Sequence, residues 1–292
     1  MIDAAVIALR LLQYVAGSIL LGSALFLACG LTRDDQFQHW ARPLLVSAAL
    51  ALAASALAGL AAQTIVLAGS VEVGLTRESL EAMIATSLGK AALVRAVAAI
   101  AAVPLLLFLT PGRILWAVTA LLGAVAVAGF AWMGHGAATE GAGAELHLLA
   151  DMAHVLVAGV WIGALVGFVM LLLFGSERET LRTALMRFSA VGVPLIVLLV
   201  ATGLVNSWFL VGLENLGSLL TTNYGQLLLV KLALFAGMLV LAGVNRWRHT
   251  AAIATGRKSL VPLRATMAAE TLLGILVLGA VAWFGMLEPP AN

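Results

Sequence analysis

The sequence predicts an all-α polytopic membrane protein with eight transmembrane helices, arranged as two parallel four-helix repeats. Three observations predict it. The 292 residues are 63% hydrophobic and only 10% charged, whereas about a quarter of the residues in a soluble domain carry charge. Apolar runs of about twenty residues or more recur from end to end with short polar gaps, each long enough to cross a bilayer core as a helix. Basic residues fall almost wholly in alternate connections. A soluble core, a disordered chain and a collagen-like array are excluded. So is a disulfide scaffold, because Cys29 stands alone. A net charge of +2 leaves no footprint for nucleic acid.

The spans are read near residues 4–30, 43–69, 88–110, 113–133, 147–174, 188–211, 225–245 and 262–287. The first is too long for a signal-peptide core and follows Asp3 instead of a basic cluster, so it is read as a retained helix. The third and sixth contain Pro104 and Pro194, tolerated where neighbours satisfy the freed carbonyls. In the fifth, Gly159, Gly163 and Gly167 allow close backbone approach. Between the second and third, Leu80, Met83 and Ile84 at helical spacing suggest a short surface-lying cap over 76–86.

One set of alternate connections holds eleven basic residues, from Arg33 and Arg42 to Arg257, Lys258 and Arg264. The other holds Arg77 and six glutamates. The positive-inside rule therefore puts both termini on the outer, periplasmic side. Trp40, Trp116 and Trp247 fall at inner ends, and Trp132, Trp208 and Trp283 near outer ends, as an interfacial belt requires. Trp161 lies deeper.

Thr86 to Arg95 aligns without gaps on Thr222 to Lys231. Weaker matches pair Ala58-Gly59-Leu60 with Thr202-Gly203-Leu204, and Leu20 to Leu25 with Trp161 to Leu165 after one residue of slippage. The halves, 1–136 and 137–292, thus read as tandem copies. With four spans each they share one orientation, which implies a pseudo-twofold along the membrane normal.

Ionisable groups entering hydrocarbon are costly and point to function. His147, Asp151, His154, Ala158 and Trp161 share one stripe of the fifth span, and His135 with Met133 ends the fourth. Imidazole with carboxylate suits Cu(II), Zn(II) or Ni(II); thioethers at Met133 and Met152 shift the choice towards copper. His147 and His154 are two turns apart, about 10 Å at ~1.5 Å per residue. Two overlapping positions therefore fit, His147 with Asp151 and Asp151 with His154, with His135 completing one of them. The competing readings make Asp151 a partner that fixes a histidine tautomer, or make the histidines interfacial hydrogen-bonders.

Arg95 and Lys231 are equivalent in the repeat. Snorkelling and a shared structural role, such as holding outer-loop carbonyls or Glu214, are both open. Glu270, inside the last span, needs a partner or a proton. Asn206 and Tyr224 are placed to line an outer vestibule. Walker A, phosphorylated-aspartate and Cys-Pro-Cys motifs are absent from the sequence.

Arg187-Phe188-Ser189, Ala201 to Asn206, Leu219 to Gly225, Val230-Lys231-Leu232, Asn245-Arg246 and Glu270 follow in order the pattern of the copper resistance protein D family, which the region 187–287 resembles. The histidine stripe and Trp161 to Leu165 extend the resemblance towards the whole chain. It implies a bacterial inner-membrane protein, not an enzyme, that takes a copper ion from the periplasm with a periplasmic copper-binding protein of the CopC type. His135, His147, Asp151 and His154 would receive the ion. No histidine or methionine ladder continues to the inner face, which sets this chain apart from a simple channel. Two other readings stand beside copper transport. One is a haem- or quinone-linked electron-transfer protein, for which histidines should bracket a haem from facing helices. The other is a copper-binding assembly partner that moves nothing.

Overall fold

A computed structural model describes residues 2–32, 38–134, 136–174, 177–249 and 260–290. Its eight helices long and apolar enough to cross a membrane are α1 (Ala4–Gly30), α2 (Ala41–Ala68), α3 (Ser87–Phe108), α4 (Arg113–Trp132), α5 (Ala144–Leu173), α6 (Arg178–Leu210), α7 (Asn223–Arg248) and α8 (Val261–Phe284). All eight expected spans are present. The largest difference in boundary is at α6, which starts ten residues before its apolar run. Arg178 to Arg187 contain no helix breaker, and Arg182 pairs with Glu179 at 3.1 Å on an exposed face, so the helix continues beyond the stretch that hydropathy marks.

Local chemistry ends and starts these helices. Gly69, at φ 73°, closes α2 in the left-handed conformation that other residues avoid. Thr86 caps α3 by accepting from the Gly89 amide at 3.0 Å, and Thr222 caps α7 by accepting from the Gly225 amide at 3.1 Å. The cap over 76–86 forms as Arg77–Ala85, started by Thr76 accepting from the Ser79 amide. Before α7 there is only the single turn Ser218–Thr221.

Helices α1 and α5 cross at the centre. Because lipid is as apolar as leucine, their association depends on close packing and hydrogen bonds. A Cβ on Gly163 would lie 1.9 Å from the Ser18 carbonyl oxygen and 2.6 Å from the Gly22 Cα. A Cβ on Gly22 would meet the Gly159 oxygen at 2.5 Å. Glycine is needed at both positions. Helix α1 widens into π turns at Ile19–Ser23 and Phe26–Gly30, and within the first the Ser23 hydroxyl donates to the Gly163 carbonyl at 2.6 Å. Leu20, Leu27, Leu165, Phe168 and Leu171 fill the buried layer around this crossing.

In the first half α1 packs on α2, α2 on α3, α3 on α4 and α4 back on α1, closing a ring. In the second half α5 packs on α6, α7 on α8 and α8 on α5, but α6 and α7 make no contact comparable to that of α2 with α3. The α6–α7 gap leaves space at the heart of the second half. Arginines close helix ends at the opposite face: Arg187 donates to the Leu31 carbonyl at 2.6 Å, and Arg42 to the carbonyl of Leu109.

Candidate functional site

The space between α6 and α7 is a cavity of about 150 Å³. It is lined by Gly134, Gly136, Val211 and Gly285, at or near helix ends, and by Ala158, Ile162 and Leu278 from within the spans. Its polar lining comprises Asp151, His154, Asn206, Ser207, Tyr224 and Lys231 from the second half, with Tyr14 and Ser18 from α1. Five residues singled out by sequence, Asp151, His154, Asn206, Tyr224 and Lys231, therefore converge.

Each ligand-type side chain is held by a neighbour. The Thr202 hydroxyl donates to the Leu198 carbonyl at 2.6 Å, so its oxygen accepts from His154 Nδ1, 3.0 Å away. In the tautomer with the imidazole proton on Nδ1, donated to Thr202, the lone pair is on Nε2, the form a metal ligand takes. Asn206 Nδ2 donates to Asp151 Oδ1 at 3.1 Å, and among the described residues Oδ2 accepts no hydrogen bond. Asn206 Oδ1 is buried without a hydrogen-bond partner. A buried acceptor left bare costs about 1–3 kcal/mol, which a bound cation would recover. Asp151 also rests against the end of α4: a Cβ on Gly136 would lie 2.8 Å from Asp151 Oδ2. His135, between Gly134 and Gly136, lies outside the described residues.

Among the described residues no group of three His, Cys, Asp or Glu side chains is placed to hold a metal ion. The available set is one carboxylate, one imidazole and one amide oxygen. This hard and borderline set favours a divalent ion such as Cu(II) over Cu(I).

The other expected ligands lie elsewhere. His147 is fully buried and stacks on Phe209, ring centroids 4.7 Å apart, with Nδ1 2.7 Å from the Thr139 hydroxyl; it does not line the cavity. The reason is helical: seven residues from His154, it sits two turns nearer the helix start, level with the 136–143 connection. Met133 is also outside the cavity; its carbonyl accepts from Arg10 at 3.0 Å. Of the two thioethers that the sequence placed nearby, neither Met133 nor Met152 is among the residues that line the cavity with Asp151 and His154. His147 and His154 share one helix and have different neighbours, so this pair does not bracket a haem.

Deeper along the stripe, Trp161 Nε1 donates to Glu270 Oε1 at 3.1 Å and Asn245 Nδ2 to Glu270 Oε2 at 2.8 Å. Thr266 donates to Asn245 Oδ1 at 2.6 Å. Glu270 thus has partners on two other helices, and both are neutral. Lys231 lies over the Phe284 ring, 5.6 Å from its centroid, without an ion pair to Asp151 within 4.0 Å. Arg95 is buried, donates to Gln13 at 2.7 Å and to the Gly129 carbonyl at 2.9 Å, and lies over the Phe130 ring at 4.5 Å. Neither cation reaches Glu214 within ion-pair distance.

Sequence reasoning passed over Thr202 as a site residue, as well as Arg10 and Gln13. A threonine inside an apolar helix carries no spacing signal of its own, because its hydroxyl is normally spent on the preceding turn. Arg10 and Gln13 did carry one, being polar at i, i+3 in the first span.

Two family models match the chain: the copper resistance protein D-like N-terminal domain over residues 1–146, and copper resistance protein D over residues 182–284. Copper resistance protein D of Pseudomonas syringae pv. tomato is 37% identical over 220 residues, covering 70% of this chain and 69% of that protein. The chain belongs to the copper resistance protein D family. Copper transport protein CutJ of Bacillus subtilis strain 168 is 32% identical over 164 residues, 55% of this chain and 28% of that protein. Inner membrane protein YebZ of Escherichia coli K12 is 32% identical over 162 residues, 54% of this chain and 55% of that protein. No solved structure matches. The matched range 182–284 agrees with the resemblance seen over 187–287, and the N-terminal match adds the first half.

In this copper resistance protein D family member, Thr202 gives a direct test of how His154 is held. Thr202→Val should weaken Cu(II) binding by about tenfold or more, the usual cost of losing the group that orients a ligating histidine, while Thr202→Ser should restore it. Calorimetric titration of the detergent-purified protein reads the difference.

Proposed function

We propose that this protein carries copper across the bacterial inner membrane, receiving the ion on the periplasmic side in the cavity lined by Asp151, His154 and Asn206. The single observation that carries the proposal is the convergence, in a copper resistance protein D family member, of the His154, Asp151 and Asn206 side chains on the lining of one cavity, with Asn206 Oδ1 buried and bare. Copper is cargo here. Under the positive-inside assignment the helix ends that line the cavity face the periplasm with both termini, where a copper-binding protein of the CopC type would deliver the ion.

Lys231 lines the same cavity as Asp151, where an ammonium opposes tight retention of a cation, as a carrier that must release its cargo requires. The stripe continues from His154 through Ala158 to Trp161, about 10 Å further along α5 at ~1.5 Å per residue, and Trp161 reaches Glu270. We assign Glu270, with Asn245 and Trp161, as the next polar station towards the inner face. The two four-helix halves, 1–136 and 137–292, form the frame, and the cavity belongs to the second.

Copper uptake into proteoliposomes containing a trapped fluorescent chelator tests the proposal. Wild-type protein should accelerate uptake over empty liposomes, and Asp151→Asn with His154→Ala should return it to background. Copper binding without flux would identify an assembly partner instead, and a Soret band in the purified protein would identify a haem carrier.

A further inference from the structure

We infer that the first half contains a twin of the Asp151–His154 site in which Arg10 stands in place of Asp151 and Gln13 in place of His154, so that the cation position is occupied by the protein's own guanidinium. The inference rests on the proposed metal-binding reading of Asp151 and His154.

Two pairs of equivalent contacts, one matching position on the helix and one contact between aligned residues carry it. A Cβ on Gly59 would lie 2.9 Å from Gln13 Nε2, and one on Gly203, its partner in the sequence alignment, 3.5 Å from His154 Cε1. Arg10 and Asp151 each stand three residues before, on the same helix face. Arg95 of α3 lies over Phe130 of α4, and its aligned partner Lys231 of α7 lies over Phe284 of α8. Gly22 and Gly163, also aligned, touch each other: a Cβ on Gly22 would be 2.7 Å from the Gly163 Cα. Equivalent residues meet one another only on a twofold axis, so that axis runs through the α1–α5 crossing.

The twin is a smaller cavity, about 30 Å³, lined by Arg10, Gln13, Gly59, Gln63 and Arg95 among others. Arg10 donates to the Met133 carbonyl at 3.0 Å and to the Gly285 carbonyl at 2.8 Å, at the ends of α4 and α8. Asp151 abuts the same end of α4, and Gly285 lines its cavity. Arg10 is 7% and Arg95 1% exposed, and among the described residues neither has a carboxylate within 4.0 Å. Two buried positive charges exclude a metal cation from this pocket, whereas Asp151 offsets Lys231 in the other. The α2–α3 contact closes the first-half pocket on the side where the α6–α7 gap leaves its counterpart open. One half has become scaffold, and the chain binds one metal ion.

Removing the internal cation should recreate the lost site. Wild-type protein and Arg10→Asp with Gln13→His are titrated with Cu(II) and analysed for copper per chain. The inference expects one equivalent for wild type and two for the variant; one equivalent in a folded variant overturns it. The reciprocal exchange, Asp151→Arg with His154→Gln, decides the matter if the first variant does not fold or if wild type binds no copper, which by itself would sink only the proposed function. Since the twin already accommodates arginine and glutamine in this geometry, the melting midpoint should stay within about 3 °C of wild type. Val155→Arg with Ala158→Gln, placed in the same cavity without a counterpart in the first half, should melt well below it. Equal destabilisation of the two exchanges overturns the inference.

Discussion

Replacing Asp151 by asparagine and His154 by alanine should lower Cu(II) affinity by ~100-fold or more, about 2.7 kcal/mol at roughly 1.4 kcal/mol per decade. The expectation follows from what each side chain gives up. His154 loses a nitrogen lone pair aimed by Thr202, and Asp151 loses the anionic charge that makes a buried cation tolerable beside Lys231. Alanine at 154 leaves the Thr202 oxygen with its bond to the Leu198 carbonyl, so the helix should not suffer. Asparagine at 151 keeps an acceptor for Asn206. The variant should therefore remain folded while binding fails, which separates site loss from collapse. Titration with Cu(II), with circular dichroism on the same samples, checks both halves of the statement. Affinity within about threefold of wild type would remove the cavity from consideration. A companion substitution sharpens the test: Lys231→Met should tighten binding by about tenfold, roughly 1.4 kcal/mol, because it removes a like charge from the ion's surroundings.

The largest loss of stability is expected from Gly163→Ala. A methyl group there would sit 1.9 Å from the Ser18 carbonyl oxygen and 2.6 Å from the Gly22 Cα. Both obstacles are backbone and cannot swing aside as a side chain would. Helices α1 and α5 must separate, which strains the Ser23–Gly163 hydrogen bond of 2.6 Å and loosens the layer formed by Leu20, Leu165 and Phe168. Overpacking a tight interface costs about 1–3 kcal/mol and occasionally more; two backbones in contact put this site at the upper end. Gly192→Ala and Gly279→Ala provide the controls, since a Cβ at either position meets nothing within 4 Å, and alanine is the better helix former by about 1 kcal/mol. Thermal melting of the three variants in one detergent should show Gly163→Ala well below wild type and the controls level with it or above. A Gly163→Ala midpoint equal to the controls would contradict the crossing described above.

The spans were legible in the sequence because a bilayer imposes a single rule along the chain, that backbone polar groups be satisfied inside an apolar helix. Hydropathy and length therefore located all eight helices. That rule ends where the chain leaves the lipid, so the start of α6 at Arg178 was not visible. Asp151 and His154 could be named because charge inside an apolar run is conspicuous on its own. Their surroundings could not. Thr202 lies on α6, Asn245 on α7 and Gly136 beyond α4, and one-dimensional spacing carries no information about which faces of separate helices meet.

The sequence by itself determined the fold class, the number of crossings and the polar residues on α5, since all three depend on the composition of continuous segments. Tertiary structure alone decided that His147 turns to Thr139 and Phe209 while His154 enters the cavity with Asp151 and Asn206, and that Glu270 finds Trp161 and Asn245. Those outcomes depend on the rotation and separation of packed helices, which are fixed by close approaches such as Gly22 against Gly163. Short-range packing forces act only between neighbours in space, so they become readable only when the helices are assembled.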